Sequence, residues 1–301
     1  MRVRPRFPRP ARSAIVGLVA AVVALSCAVA PVGAAAKKPT SVTKKNGAVT
    51  AKVTYTPADR KHYKDYKKIR LTITGHGHAV RNVSLAPNST SYTRPIVTLT
   101  DLNGDGVPDP IVDTYSGGAH CCSTSSISLS TTTGYGAPIV QAWGDYGYQL
   151  KDLGGTSTPE FVSADDRFAY AFTAYAGSIP AIKILAADGP IFHDVTTNFP
   201  DAIRADIAKI TPYWDDAAKN ANGDPEGVQA VTAAWVADLT LVNDLAGAKA
   251  VIDKTTAAGF MTGGPSENWE NAKTYAGQLA YDLKHWGYLD DPTTIGLPAT
   301  S

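Results

Sequence analysis

Several features that define common classes of protein are scarce or absent in this chain. Only three cysteines occur in 301 residues, which excludes a framework of several disulfide bonds. The hydrolase signatures G-x-S-x-G and H-E-x-x-H are missing, and so is a glycine-rich phosphate loop. Beyond residue 36, no apolar run is long enough to span a bilayer. The sequence therefore assigns no catalytic residue and predicts no transmembrane helix in the mature chain.

The N-terminus lacks acidic residues and has the pattern of an export signal. Met1–Arg12 carries five arginines and no acid, and the residues up to Ala36 are uncharged and largely apolar. A basic region, an apolar region and small residues at the end are typical of a secretory signal peptide. We predict cleavage after Ala36, and a protein that is secreted or associated with the cell envelope. A retained membrane anchor and a lipoprotein modified at Cys27 remain alternatives.

Charge is unevenly distributed along the mature chain. Lys37–Arg94 holds thirteen basic residues and two acids, whereas the chain from Asp101 onward holds ten basic residues and twenty-five acids. This asymmetry indicates an anionic partner for the basic segment, such as a polymer of the cell envelope or a membrane surface. A solvated basic surface without a partner is the alternative. Nucleic acid is not expected as a partner, because no nucleic-acid-binding motif is present.

The hydrophobic pattern predicts an α+β fold with a change of character near residue 199. After the signal peptide (1–36) we expect a basic flexible linker (37–47) and then an antiparallel β-rich domain (48–198), as an open sheet or a sandwich. A helical region (199–288) and a C-terminal tail (289–301) follow. The predicted strands are Ala48–Tyr55, Ile69–Thr74, Ile96–Thr100, Ile111–Tyr115, Ser126–Ser130, Pro138–Trp143, Phe168–Tyr175 and Ala181–Leu185. The predicted helices are Asp201–Asp216, Glu226–Leu245, Ala246–Ala258 and Trp269–Trp286.

An aspartate-rich segment, called loop 1 here, is the strongest chemical signal. It spans Asp101–Asp109 and reads D-x-N-x-D-G-x-x-D. Calcium binds six to eight oxygen atoms, and a tight turn at the glycine brings the donors of such a loop together. The predicted ligands are the side chains of Asp101, Asn103, Asp105 and Asp109 and the carbonyl of Val107. The flanking segments look like strands, so loop 1 resembles the calcium-binding hairpins of FG-GAP or VCBS repeats. A polar turn without a metal is the alternative.

A second copy of this pattern, called loop 2 here, follows fifty-one residues later at Asp152–Glu160. It keeps the leading Asp-Leu pair, the glycine at position four, the proline at position eight and an acid at position nine. It has lost the oxygen ligands at positions three and five. We therefore predict that loop 2 keeps the turn without binding an ion, and that the two copies are units of one repeat.

The mature chain has only two cysteines, Cys121 and Cys122, and they are adjacent. Because exported chains meet an oxidising environment, a disulfide between these neighbours is expected, chiefly as a rigid lock of a turn. A redox-active pair, free thiols and an intermolecular bridge remain alternatives. His120 precedes the cysteines, but neighbouring residues of a strand point to opposite faces, which disfavours a shared zinc or copper ion.

Acidic residues offer a catalytic alternative, a hydrolase whose acids come from Asp165, Asp166 or loop 1 itself. Asp165 and Asp166 follow loop 2 directly, and paired carboxylates can perform acid–base chemistry. A salt bridge from Asp165 or Asp166 to Arg167 is the commoner explanation of such a cluster. If the pair were catalytic, the protein would be an envelope hydrolase with a cleft beside these acids.

Three motifs together resemble a family of uncharacterised exported proteins that is common in actinobacteria. The motifs are D-L-N-G-D-G-V-P-D, then Y-S-G-G-A-H-C-C, then A-D-D-R-F-A-Y-A-F. The resemblance implies export and a calcium-type loop, and it implies no established activity. The sequence thus favours an exported, calcium-stabilised, non-enzymatic module that binds at the cell envelope. The hydrolase and the redox protein that uses Cys121 and Cys122 are its alternatives.

Overall fold

The structure, a computed structural model, describes residues 40–62, 64–85, 90–263 and 272–300. The predicted signal peptide, its cleavage site and Cys27 lie outside the described residues. The β-rich and helical parts belong to one compact unit, Lys37–Ser301. The α+β layout is confirmed, with antiparallel sheets first and helices after them.

The first sheet has five antiparallel strands, with β1 to β4 in chain order and β5 beside β3. One face of it is apolar, because alternate residues of β2 and β3 are buried: Val49, Ala51 and Val53 on β2, and Ile69, Leu71 and Ile73 on β3. Its strands are β1 Thr40–Asn46, β2 Val49–Thr56, β3 Tyr66–Gly75, β4 His78–Ser84 and β5 Thr90–Ser91.

The second and third sheets each contain four antiparallel strands. The second sheet has the order β11–β8–β7–β6, from β6 Ile96–Thr100, β7 Asp109–Gly118, β8 Cys121–Ile127 and β11 Ile139–Gly144. A short hairpin, β9 Ser130–Thr131 and β10 Gly134–Tyr135, is inserted between β8 and β11. The third sheet is β12 Gln149–Lys151, β13 Glu160–Ala164, β14 Ile182–Ala186 and β15 His193–Asp194, in that order.

The three sheets stack face to face, and consecutive apolar residues that point to opposite faces of a strand make this possible. On β7, Val112 packs against the first sheet while its neighbour Ile111 packs against the third sheet. On β13, Phe161 faces the second sheet and Val162 faces the helices. A strand buried on both faces needs apolar residues at consecutive positions, which is what β7 and β13 supply.

Four helices follow the sheets: α1 Pro200–Asn220, α2 Glu226–Leu241, α3 Leu245–Ala257 and α4 Tyr275–His285. Asp244 caps α3 by accepting the amide proton of Gly247, and Thr274 caps α4 by accepting that of Gly277. Helix α2 is buried along most of its length, because its alanine and valine side chains let the other helices pack closely around it. No helix within the described residues is long and apolar enough to cross a membrane.

Two of the predicted segments differ in the structure. The segment predicted as a flexible linker contains strand β1, whose Val42 pairs with Val53 of β2. The segment Phe168–Tyr175 is not a strand, because Phe168 and Phe172 both pack into the helical core between short 3-10 turns. The predicted C-terminal tail (289–301) packs on the helices, since Ile295 and Leu297 are buried in that same core.

Candidate functional site

Loop 1 connects β6 to β7 and wraps around its first carboxylate. Asp101 accepts the amide protons of Gly104 and Gly106, each with an N–O distance of 2.8 Å. The φ angles of these glycines are 77° and 79°, a region that favours glycine. The two glycines therefore allow the chain to double back over Asp101, as the sequence predicted for a tight turn.

The middle of loop 1 is held by side-chain oxygens that accept amide protons two residues on. Asn103 Oδ1 accepts from the amide of Asp105 at 3.2 Å, and Asp105 Oδ1 accepts from the amide of Val107 at 2.8 Å. The hydroxyl of Ser130 donates to the other oxygen of Asp105. The predicted metal ligands thus lie on one tight turn, and Ser130, which follows β8, stabilises this turn through its hydrogen bond to Asp105.

Asp109 has a role that the sequence analysis did not predict. Its side chain is fully buried, and its two oxygens accept the amide protons of Leu102 at 2.8 Å and of Ser130 at 2.6 Å. Burial raises the pKa of Asp109 to about 6, although both backbone hydrogen bonds act in the opposite direction. Asp109 therefore fastens the end of loop 1 to its beginning and to the neighbouring chain.

The donors of loop 1 suit calcium in chemical type, since carboxylate, amide and carbonyl oxygens are the ligands of hard cations. No described ion pair joins Asp101, Asp105 or Asp109 to a basic side chain. Across the described ranges, no three His, Cys, Asp or Glu side chains are gathered closely enough to hold a metal ion. A carboxylate oxygen has lone pairs for both an amide proton and a cation. The residues therefore fit calcium by chemistry, and the ion stays a prediction.

Loop 2 connects β12 to β13 and has a similar framework of hydrogen bonds, although its first aspartate accepts from positions five and six rather than four and six. Asp152 accepts the amide protons of Thr156 at 3.0 Å and Ser157 at 2.9 Å. Glu160, at position nine, accepts the amide proton of Leu153, at position two, at 2.9 Å. This is the counterpart of the bond from Leu102 to Asp109. The acid at position nine thus closes the turn in both loops.

The paired cysteines are the first two residues of β8, directly after its turn from β7. Both are half-buried free thiols in this structure, and the peptide bond between them is cis. A hydrogen bond to Cys121 raises the pKa of Cys122 to about 11, with burial acting in the same direction. The thiolate is the reactive form of cysteine, so Cys122 as it stands is a poor nucleophile. The predicted disulfide is untested.

Three segments that are distant in sequence meet beside these thiols. The His120 ring lies 4.1 Å from the ring of Tyr175 and 5.8 Å from that of Tyr170, measured between centroids. The Tyr175 hydroxyl donates to Asp145 at 2.6 Å. Tyr170 has a φ of 62°, which is unusual for a bulky residue. Two of the motifs that carry the family resemblance therefore form one surface.

The acids considered for catalysis have different surroundings. Asp165 is buried and accepts hydrogen bonds from the Arg167 guanidinium and from the Tyr288 hydroxyl. Burial alone would raise the pKa of Asp165, but the hydrogen bonds and charge of Arg167 prevail and hold it below its usual value. Arg167 also donates to the carbonyl of Trp286 beyond α4. Asp165 and Arg167 thus form a clamp between the third sheet and the last helix.

Asp166 lies in a cavity of about 350 Å³ between the second and third sheets. It packs so closely on Gly144 that a Cβ built there would lie 1.9 Å from its carboxylate. Burial raises the pKa of Asp166, and the charges of Asp165 and Asp145 act in the same direction. The predicted cleft is present, but Asp165, the partner that Asp166 would need, is committed to Arg167.

A further buried acid lies inside helix α2. Asp238 is fully buried, and its Oδ1 accepts the amide proton of Ile182 at 3.1 Å, while no hydrogen bond to Oδ2 is formed. Burial raises the pKa of Asp238 well above its ordinary value, and the charge of Asp206 on α1 adds to the effect. Through its hydrogen bond to Ile182, Asp238 joins α2 to β14. The presence of an acid within the apolar run of α2 could have identified Asp238 as a buried acid.

Comparisons with known proteins find two partial relatives. A protein of Synechocystis sp. described as a probable thylakoid lumen protein is 26% identical over 166 residues, which is 50% of this chain and 44% of the relative. A protein of Sinorhizobium fredii described as uncharacterized is 31% identical over 112 residues, which is 37% of this chain and 18% of the relative. The chain thus spans less than half of the length of either relative. No protein-family profile and no solved structure matches it.

Proposed function

We propose that the protein is an exported, non-catalytic module, stabilised by calcium at loop 1, that binds an anionic polymer of the cell envelope. The observation that carries the calcium proposal is the make-up of loop 1. Three carboxylates and an amide are drawn into one tight turn by backbone amides, and none of the three carboxylates has a described basic partner. A bound cation would offset their mutual repulsion.

Export would expose loop 1 to a calcium concentration high enough to fill it. Extracellular calcium modules bind with dissociation constants of about 10⁻⁴ to 10⁻³ M, so they are loaded outside the cytoplasm. The signal-peptide pattern supports export, and a relative described as a probable thylakoid lumen protein is in keeping with it. The ligands of the proposed ion are Asp101, Asn103, Asp105, Asp109 and the carbonyl of Val107.

The basic segment supports the proposed partner. Most of its described residues belong to the first sheet, whose apolar face is covered by the second sheet. The other face carries exposed basic residues of β1, β2 and β3. An anionic polymer at the envelope matches this charge and would retain the protein there.

The two alternatives receive less support. Asp165 is held by Arg167 and Tyr288, which leaves a hydrolase without its second carboxylate. A redox function needs an accessible thiolate, and the hydrogen bond with Cys121 raises the pKa of Cys122, which disfavours a thiolate at that residue. Neither alternative is proposed.

Thermal unfolding with and without calcium tests the calcium part of the proposal. The secreted protein is first freed of metal with EDTA, then melted without added ion, with excess calcium and with excess magnesium. We expect calcium to raise the melting temperature and magnesium to have a much smaller effect, because magnesium dehydrates reluctantly. An identical melting temperature in all three conditions would refute a calcium-stabilised fold.

A further inference from the structure

The outer face of the first sheet is polar, and the strand register fixes which residues lie on it. Side chains on β2 alternate between the core and this face, so Thr50, Lys52 and Thr54 point away from the buried Val49, Ala51 and Val53. Residues that pair across an antiparallel ladder share a face. The paired positions on the neighbouring strands therefore extend this face, and they are Ser41, Thr43 and Lys45 on β1, Arg70, Thr72 and Thr74 on β3, and Asn82 and Ser84 on β4.

Three basic residues form a straight diagonal on this face. Lys45 of β1 is opposite Thr50, two residues from Lys52 on β2. Arg70 of β3 is opposite Thr54, two residues from Lys52 in the other direction. Each step thus crosses one strand and advances two residues, which separates neighbouring side chains by about 7–8 Å. We call Lys45, Lys52 and Arg70 the cationic stripe.

The positive charges of the stripe have no described acidic partner, and its side chains are exposed to solvent. All three of its side chains are exposed, and no described ion pair involves them. No acid occurs among the paired positions of the face. Arg70 donates two hydrogen bonds to Asn82 Oδ1, at 3.1 and 3.0 Å, which hold its guanidinium against the sheet. Threonine hydroxyls flank the stripe and can donate hydrogen bonds to a ligand.

We propose that the cationic stripe binds a linear polymer whose anionic groups are phosphodiesters, laid diagonally across β1, β2 and β3. This inference rests on the proposed function, in which an anionic envelope polymer is the partner. In an extended polymer, charges that are about six covalent bonds of about 1.5 Å apart are separated by roughly 7–8 Å. This is close to the spacing of neighbouring side chains in the stripe. The guanidinium of Arg70 keeps N–H donors that Asn82 does not use, and these suit phosphate oxygens. A line of cations fits a strand-like polymer better than it fits the plane of a membrane.

The test measures binding of synthetic poly(glycerol phosphate) to the secreted protein at several salt concentrations. The stripe variant combines Lys45→Gln, Lys52→Gln and Arg70→Gln. The control variant combines Lys44→Gln, Lys61→Gln and Lys64→Gln, which removes equal charge elsewhere. Lys44 is a close match for Lys45, because it is the next residue of β1 and shares the opposite face with Ala51. Lys61 and Lys64 are exposed and lie between β2 and β3.

We expect the stripe variant to bind at least about tenfold more weakly near 0.1 M salt. Its plot of log affinity against log salt should be shallower by about two, because each phosphate contact with a flexible strand contributes roughly 0.7 to that slope. The control variant should stay within about twofold of the unchanged protein in affinity and keep its slope. Equal losses in both variants, or no loss in the stripe variant, would overturn the inference.

Two further measurements separate this inference from the proposed function. Unchanged unfolding midpoints in both variants would show that the stripe variant is folded. If the unchanged protein binds hyaluronate, whose charges are carboxylates, or anionic lipid vesicles more tightly than poly(glycerol phosphate), the phosphodiester assignment is wrong although an anionic partner remains. If it binds none of the three, the anionic partner of the proposed function fails as well.

Discussion

Loops 1 and 2 share a framework and differ in their chemistry. In both, the first aspartate accepts two amide protons of the turn, and the acid at position nine accepts the amide proton of position two. Positions four and six have positive φ in both, with values of 77° and 79° in loop 1 and 66° and 70° in loop 2. Only loop 1 has an amide and a carboxylate at positions three and five.

This comparison separates the residues that shape the turn from those that would hold an ion. Positions one, four, six and nine close the hairpin in either loop, since each of them serves a backbone hydrogen bond or a backbone conformation. Positions three and five can change without loss of the hairpin, as loop 2 demonstrates with Gly154 and Thr156. The acids at positions one and nine therefore serve the turn itself, and the proposed ion would be an addition to that framework.

The largest difference between the loops is expected at position nine. Asp109→Ala leaves two buried amides without an acceptor, at about 1–3 kcal/mol each, and should lower the free energy of unfolding by about 3 kcal/mol. Glu160→Ala frees a single, partly buried amide and should cost about 1 kcal/mol. Urea unfolding of both variants measures the difference. Equal losses would show that the two acids do not differ in role.

Calcium dependence should distinguish the loops next. With a dissociation constant of about 10⁻⁴ to 10⁻³ M, calcium at about 10 mM stabilises the fold by roughly 1.4–2.7 kcal/mol. We expect Asp105→Asn in loop 1 to abolish this gain and Asp152→Asn in loop 2 to leave it intact. The measurement is the unfolding free energy with calcium and with EDTA. A gain that survives Asp105→Asn would place the ion outside loop 1.

Loop 2 can also be given the amide and the carboxylate that it lacks at positions three and five. Gly154→Asn with Thr156→Asp supplies oxygen donors at positions three and five, and a Cβ at Gly154 meets no atom closer than 3.6 Å. We expect this double variant to gain about 1 kcal/mol of additional calcium-dependent stability. Gly154→Ala with Thr156→Ala is the matched control and should gain none. No gain in the double variant would mean that positions three and five are not what separates the loops.

The smallest effect concerns position six, where φ is positive in both loops. Gly106→Ala meets no neighbouring atom, so its expected cost of about 1 kcal/mol comes from the backbone conformation alone. Ser157→Gly in loop 2 removes the same strain and should stabilise the protein by about 0.5 kcal/mol. Opposite signs for the two substitutions are the expected result of thermal unfolding. A loss in both would show that serine is suited to the turn of loop 2.

The succession of strands and helices was largely predictable, and the errors have physical causes. Strands such as Ile96–Thr100 were found where the alternation predicted them. Strand β1 was missed because an edge strand with exposed lysines has the composition of a linker. The alternation in Phe168–Tyr175 indicated a strand, but Phe168 and Phe172 are four residues apart and both turn into the helical core. The packing of these two side chains against the helices is a tertiary contact, and the local sequence pattern does not indicate it.

The candidate site was predictable in its residues and less so in their roles. The pattern of loop 1 identified the turn correctly, but the burial of Asp109 depends on Ser130, which is distant in sequence. The meeting of His120 with Tyr170 and Tyr175 likewise depends on the stacking of two sheets. The clamp between Asp165 and Arg167 was foreseen as a salt bridge, whereas its anchor at Trp286 required the fold.

Direct counting of bound calcium tests the central claim most closely. Equilibrium dialysis of the metal-free protein against calcium should give one ion per chain, with a dissociation constant of about 10⁻⁴ to 10⁻³ M. The count should fall to zero when Asp101→Asn and Asp105→Asn are combined. No bound calcium at millimolar concentration, or one ion that remains in that double variant, would contradict the account.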